Sequence, residues 1–129
     1  MTERTEMLKK HRILFVDDEK SLVMLGADLL EELGYQVCCA FDGEDAWQLF
    51  QQDEGAFDLV ITDESMPKAS GIELAQKIYR CSAGTPVILC SGHQLTMQEK
   101  GMAETNIVCV LAKTDVCLRL PELLEQILD

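Results

Sequence analysis

Reactive side chains stand just beyond four short apolar runs in this chain. Asp17, Asp18 and Glu19 follow Ile13–Val16, Asp63 follows Leu59–Thr62, Ser91 follows Val87–Cys90, and Lys113 comes shortly after Ile107–Leu111. Gathered in one cleft, two or three carboxylates, a hydroxyl and an ammonium make a particular chemistry available. Clustered carboxylates raise one another's pKa, so such a cluster is tolerated at neutral pH when a cation sits among them. A hard divalent ion such as Mg²⁺ suits oxygen ligands and leaves positions for phosphate oxygens, so the set predicts both a metal and a phosphorylated partner. Asp63 could then act as a nucleophile and form an aspartyl phosphate, with the metal, Lys113 and Ser91 neutralising the moving group. Each residue also has a plainer use: Asp17 and Asp18 as helix caps, Asp63 and Ser91 in turns, Lys113 as a solvated charge. Capping and turns do not explain why all of them coincide with the ends of apolar runs.

The elements that must position these groups are legible in the apolar pattern. The runs at 13–16, 36–40, 59–62, 87–90 and 107–111 are too short for stable helices and too apolar for a sheet with one wet face, which predicts buried parallel strands. Helical spacing lies between them. Leu22, Leu25, Leu29 and Leu33 form a first stripe, closed by Gly34 as a left-handed cap. Ala46, Leu49 and Phe50 follow an Asp42 cap, and Ser70-Gly71-Ile72-Glu73 has the spacing of a capping box before Leu74, Ala75 and Ile78. A more polar fourth helix is expected from about Gln94 to Ala103, with Asn106 in a left-handed turn before the last strand. A fifth helix is expected to begin at Pro121 and to carry Leu124, Ile127 and Leu128. This alternation predicts an α/β fold: a doubly wound, five-stranded parallel sheet in three α/β/α layers, whose functional groups collect beyond the carboxyl ends of the strands.

The 129 residues, 47% of them hydrophobic, suffice for one core, with residues 1–11 as a polar extension and 12–129 as the domain. The 11 basic residues are outnumbered by 23 acidic ones, giving a net charge of -12 with no Lys/Arg run, which argues against direct nucleic-acid binding. The N-terminus is too polar for a signal peptide, and no apolar stretch approaches the roughly 18 residues a membrane span needs, so a cytoplasmic domain without membrane contact is expected. Of the six cysteines, five lie in or beside apolar runs, which predicts small buried hydrophobes with free thiols; no Cys/His spacing supports zinc.

Taken in order, these segments resemble the receiver domain of response regulators in two-component signalling, from about Arg12 to Leu128. Ile13 to Glu19 is similar to that family's acidic first-strand motif. Asp63-Glu64-Ser65-Met66-Pro67 with Gly71 resembles its phosphoacceptor motif, Pro86 to Gly92 its fourth-strand segment, and Lys113 its lysine position. VILCSGH at 87–93 is similar to receivers of hybrid sensor histidine kinases.

The resemblance implies a flavodoxin-like (βα)5 fold and a signalling module rather than an enzyme. It implies that Asp63 accepts a phosphoryl group from a histidine kinase or histidine phosphotransfer domain. Mg²⁺ would be bound by Asp17, Asp18, Asp63 and the backbone carbonyl of Ser65. Ser91 and Lys113 would contact the phosphoryl group, while Ser65 and His93 would tune its hydrolysis. Output would be a population shift on the face made by the fourth helix, fifth strand and fifth helix, toward an unnamed partner or the rest of a hybrid kinase. A homodimer is compatible with it.

Three departures fall near that face. Val110 stands where the family usually has an aromatic residue, Thr114 stands where a proline usually follows the lysine, and the 115–120 segment is about three residues longer than usual. They motivate an alternative, a degenerate receiver acting through constitutive contacts, against which the intact acidic cluster and lysine argue. A metal-dependent phosphohydrolase would need Asp-x-Asp after the first strand, and a flavin-binding protein would need a Ser/Thr/Gly-rich phosphate loop there; neither pattern is present.

Overall fold

The structure, a computed structural model, describes residues 11–52, 56–66, 68, 70–92 and 105–128. In chain order these form β1 (Arg12–Val16), α1 (Lys20–Glu32), β2 (Gln36–Ala40), α2 (Gly43–Gln52), β3 (Leu59–Asp63), α3 (Gly71–Cys81), β4 (Val87–Ser91), β5 (Ile107–Ala112), a 3-10 turn (Lys113–Asp115) and α4 (Val116–Leu128). The five strands make one parallel sheet in the order β2-β1-β3-β4-β5. Chain order reverses between β1 and β3, and in open parallel sheets sites lie at such a point, beyond the carboxyl ends of the strands.

Alternation along each strand feeds two separate cores, which is why the runs are apolar throughout. Leu14, Val16, Val60 and Leu89 pack with Phe50 of α2 and with Leu74 and Ile78 of α3. Ile13, Phe15, Ile61 and Ile88 pack on the other face with Val23 and Leu30 of α1 and with Leu120 and Leu124 of α4. The expected strands form, and three run one residue past the expected carboxyl end: Asp63 closes β3, Ser91 closes β4 and Ala112 closes β5. Gly34 is left-handed at φ 100°, Asp42 Oδ1 accepts from the Asp45 amide at 2.8 Å, and Ser70 and Glu73 form the reciprocal capping box.

Several expectations are corrected. The buried face of α1 is Val23, Gly26, Ala27 and Leu30, while Leu25 and Leu33 are exposed. The reason is the ring of Phe15: a β-carbon on Gly26 would stand 2.7 Å from its Cζ, so only glycine lets α1 approach there. The last helix begins at Val116, not Pro121, and the proline lies inside it. Val116 and Leu120, four residues apart, both reach the core, and their burial offsets the amide hydrogen bond that Pro121 cannot make.

Asn106 is not left-handed; its side-chain amide donates to the Thr85 carbonyl at 3.3 Å and ties the start of β5 to the loop before β4. Of the cysteines only Cys90 is buried; Cys38, Cys39, Cys109 and Cys117 are half-buried and Cys81 is exposed, with no disulfide among them. The helix expected at 94–103 lies outside the described residues.

One irregularity interrupts the ladder. Val87 pairs with Ile107 but Ile88 pairs with Cys109, so Val108, half-exposed, has no β4 counterpart.

Candidate functional site

Three loops build the site, each fixed by a local contact. After β1, Asp17 Oδ1 accepts from the Glu19 amide at 2.9 Å, folding the chain tightly into α1. After β3, the Glu64 amide donates to the Cys90 carbonyl at 2.7 Å and the Gly71 amide to the Glu64 carbonyl at 3.0 Å, which strap the turn to β4 and to the start of α3. A β-carbon on Gly71 would collide with the Asp63 carbonyl oxygen, so glycine is required for α3 to begin this close to β3. After β5, the 3-10 turn starts at Lys113 itself.

Asp17 and Asp63 are buried, at 2% and 3% exposure, and Asp18 is exposed. Carboxylate oxygens of the three lie within 4.8 Å of one another. The Lys113 ammonium stands 3.3 Å from Asp17 Oδ2, 3.3 Å from Asp63 Oδ2 and 3.2 Å from Glu19 Oε1. Burial pushes the Asp17 carboxyl above its usual range; the Glu19 amide opposes this, the Asp63 charge adds to it, and Lys113 opposes it. Burial works against the Lys113 charge too, yet the Glu19 hydrogen bond and the charges of Asp17 and Asp63 outweigh it and raise its pKa.

The structure thus brings Asp17, Asp18, Asp63 and Lys113 together. Ser91 is buried at the end of β4, one residue beyond Cys90, which pairs with Asp63. Ser65 lies on the exposed turn two residues after Asp63. His93 lies outside the described residues. Glu19 is the partner to which the sequence alone assigned no role, although a third acid in the run beside a lysine in need of partners was a usable signal. Among the departures, Val110 is half-buried against the core under α2 and α3, and the peptide bond between Lys113 and Thr114 is trans. The longer segment supplies the last residue of the 3-10 turn, Asp115, and the first residues of α4, where Leu118 is 81% exposed.

A family described as response regulator receiver domain matches residues 13–126. The chain belongs to that family. Among curated relatives, the receiver is similar to the transcriptional regulatory protein DltR of Streptococcus agalactiae, 35% identical over 66% of this chain and 37% of that protein. It is also similar to the sensor histidine kinase RcsC of Salmonella typhimurium, 34% identical over 78% of this chain and 10% of that protein. The virulence sensor protein BvgS of Bordetella pertussis is 47% identical over 56% of this chain and 6% of its own length. The receiver therefore spans well under half the length of these relatives.

Among solved structures, the receiver domain of the hybrid histidine kinase CckA superposes with a TM-score of 0.77 at 34% identity, over 92% of this chain and 99% of that one. The response regulator TrrA of Thermotoga maritima, in complex with Mg²⁺ and BeF, gives a TM-score of 0.80 at 29% identity, over 91% and 98%. Among the described residues no helix is long and apolar enough to cross a membrane.

Proposed function

We propose that this receiver accepts a phosphoryl group from the phosphohistidine of a histidine kinase or histidine phosphotransfer domain onto Asp63, with Mg²⁺ held by Asp17, Asp18, Asp63 and the Ser65 carbonyl. The observation that carries the reading is the buried Asp63 carboxylate, 3.3 Å from the Lys113 ammonium and within 4.8 Å of Asp17 and Asp18 oxygens. Three carboxylates around one ammonium leave two negative charges uncompensated, a donor set that suits a hard divalent cation. The bound ion would supply charge neutralisation for the incoming phosphoryl group.

Asp63 attacks the phosphorus through a carboxylate oxygen; the phosphorus–nitrogen bond of the donor imidazole breaks, and its electron pair returns to the ring. Lys113 then pairs with the phosphoryl oxygens and the Ser91 hydroxyl turns toward them, a local charge change that biases the β5–α4 face. That face carries exposed Val108 and Leu118, and it has Val110 where the family usually has an aromatic residue. Residues 12–129 would act as one such unit in the cytoplasm, following a polar extension at 1–11. Its partner would be a separate protein or, as in the sensor kinases it resembles, another part of a longer chain.

Incubation with a small phosphodonor and Mg²⁺, followed by intact-mass measurement, tests the reading. One added phosphoryl group is expected for the wild type and none for Asp63→Ala; an equal yield from the variant would refute it. His93 and Ser65 would tune the lifetime of the phosphoryl group, His93 because an imidazole titrates near neutral pH. An unchanged half-life profile between about pH 6 and 8 in His93→Ala would remove histidine from that role.

A further inference from the structure

Lys113 divides its contacts between two kinds of carboxylate. Asp17 and Asp63 are buried and belong to the oxygen cluster that fits a divalent cation; Glu19 does not belong to it, and its side chain is 64% exposed. The ammonium engages oxygens of the very groups that a cation would need. Two cations sharing those oxygens repel one another, so occupation of the cluster weakens the hold of Asp17 and Asp63 on Lys113. The 3.2 Å contact with Glu19 is the one that this competition leaves intact.

Glu19 is built to keep that contact. Its backbone is fixed, because its amide donates to Asp17 Oδ1 and its carbonyl accepts from the Leu22 and Val23 amides at 3.1 Å each. Its side chain makes no cap bond to α1 and pairs with the lysine instead. A fixed backbone with a solvent-exposed carboxylate, adjoining the cluster but outside it, is an arm that can hold an ammonium.

We propose that Glu19 is a positioning residue for Lys113, drawing the ammonium off Asp17 and Asp63 as they take up Mg²⁺ and keeping it at hand for the phosphoryl group on Asp63. The inference rests on the phosphoacceptor reading above.

Calorimetric titration with Mg²⁺ alone, on the unphosphorylated protein, tests it through a double-mutant cycle. Glu19→Gln is expected to weaken Mg²⁺ binding by about fivefold while Lys113 is present, at the upper end of what a single exposed ion pair contributes. In the Lys113→Met background the same change is expected to cost less than about twofold, since only a screened, solvent-exposed charge is then lost. Glu19→Asp keeps the charge on a stem one methylene shorter and is expected to behave like Glu19→Gln. Equal weakening in both backgrounds, or wild-type affinity in Glu19→Asp, would show that Glu19 acts only as a nearby charge and would overturn the proposal while leaving the phosphoacceptor site standing. No Mg²⁺ uptake by the wild type would overturn both.

Discussion

Gly71 and Asp63 meet backbone to backbone: a β-carbon on Gly71 would be driven into the carbonyl oxygen of Asp63, with Leu89 Cδ1 2.8 Å away. The start of α3 is thereby set against the residue proposed to receive phosphate. Gly71→Ala is expected to destabilise the fold by about 2 kcal/mol, a usual cost of overpacking, and to slow phosphorylation by a small phosphodonor because Asp63 must shift. Urea denaturation and a phosphorylation time course check the two effects together.

The buried Asp17 carboxylate is held at a cost. Burial raises its pKa and the neighbouring Asp63 charge adds to the effect, so in the absence of a cation its ionised form opposes folding at neutral pH. Asp17→Asn keeps an acceptor for the Glu19 amide and removes the charge. It is expected to stabilise the protein without Mg²⁺ by about 1 kcal/mol at neutral pH while forfeiting the thermal stabilisation expected of the wild type with Mg²⁺. Thermal denaturation with and without Mg²⁺ measures both.

The capping box of α3 links stability to acidity. Ser70 accepts from the Glu73 amide at 3.1 Å, and the Ser70 amide donates to Glu73 Oε1 at 3.0 Å. Ser70→Ala is expected to cost about 1 kcal/mol in chemical denaturation. The hydrogen bond from the Ser70 amide, with the Ser70 side chain adding to it, holds the Glu73 carboxyl below its usual value of 4.5. A depressed carboxyl contributes stability that is fully present above the unfolded value and lost as pH falls through the folded one. The stability difference between wild type and Glu73→Gln is therefore expected to be constant above about pH 5 and to shrink below 4.5.

Cysteine chemistry should sort by place in the fold. Burial, reinforced by the charges of Asp17 and Asp63, pushes the Cys90 thiol up to about 12, whereas Cys81 is exposed at the end of α3. Iodoacetamide at about pH 8 is expected to label Cys81 in the native protein and to reach Cys90 only after unfolding, because the thiolate is the nucleophile. Peptide mass mapping would detect early labelling of Cys90, which would contradict this placement.

Much of the fold was legible because its strands are buried on both faces and so read as unbroken apolar runs. The site was legible because its charged groups stand just where those runs stop. Helix faces were less so. Leu22, Leu25, Leu29 and Leu33 have as good a helical spacing as Val23, Gly26, Ala27 and Leu30; what chooses between them is the Phe15 ring, a tertiary contact that periodicity does not contain. Pro121 shows the same limit: local preference puts proline at a helix start, but Val116 and Leu120 gain enough by burial to begin the helix earlier. Glu19 went without a role because its partner lies 94 positions away, and the third acid of the run hints at such a contact without naming the lysine.

The unmatched Val108 has a bearing on all of this. Ile107 faces the α2–α3 side, yet Cys109, two residues on, faces the α1–α4 side, so β5 changes phase within its own length. Everything downstream of Val108, Lys113 included, is counted from that offset. Were Val108 instead paired regularly with Ile88, Cys109, Val110 and Leu111 would each swap sides and Lys113 would stand one register position further along β4. The lysine's place among the carboxylates is thus a matter of arithmetic along an edge strand, settled before any charge is felt.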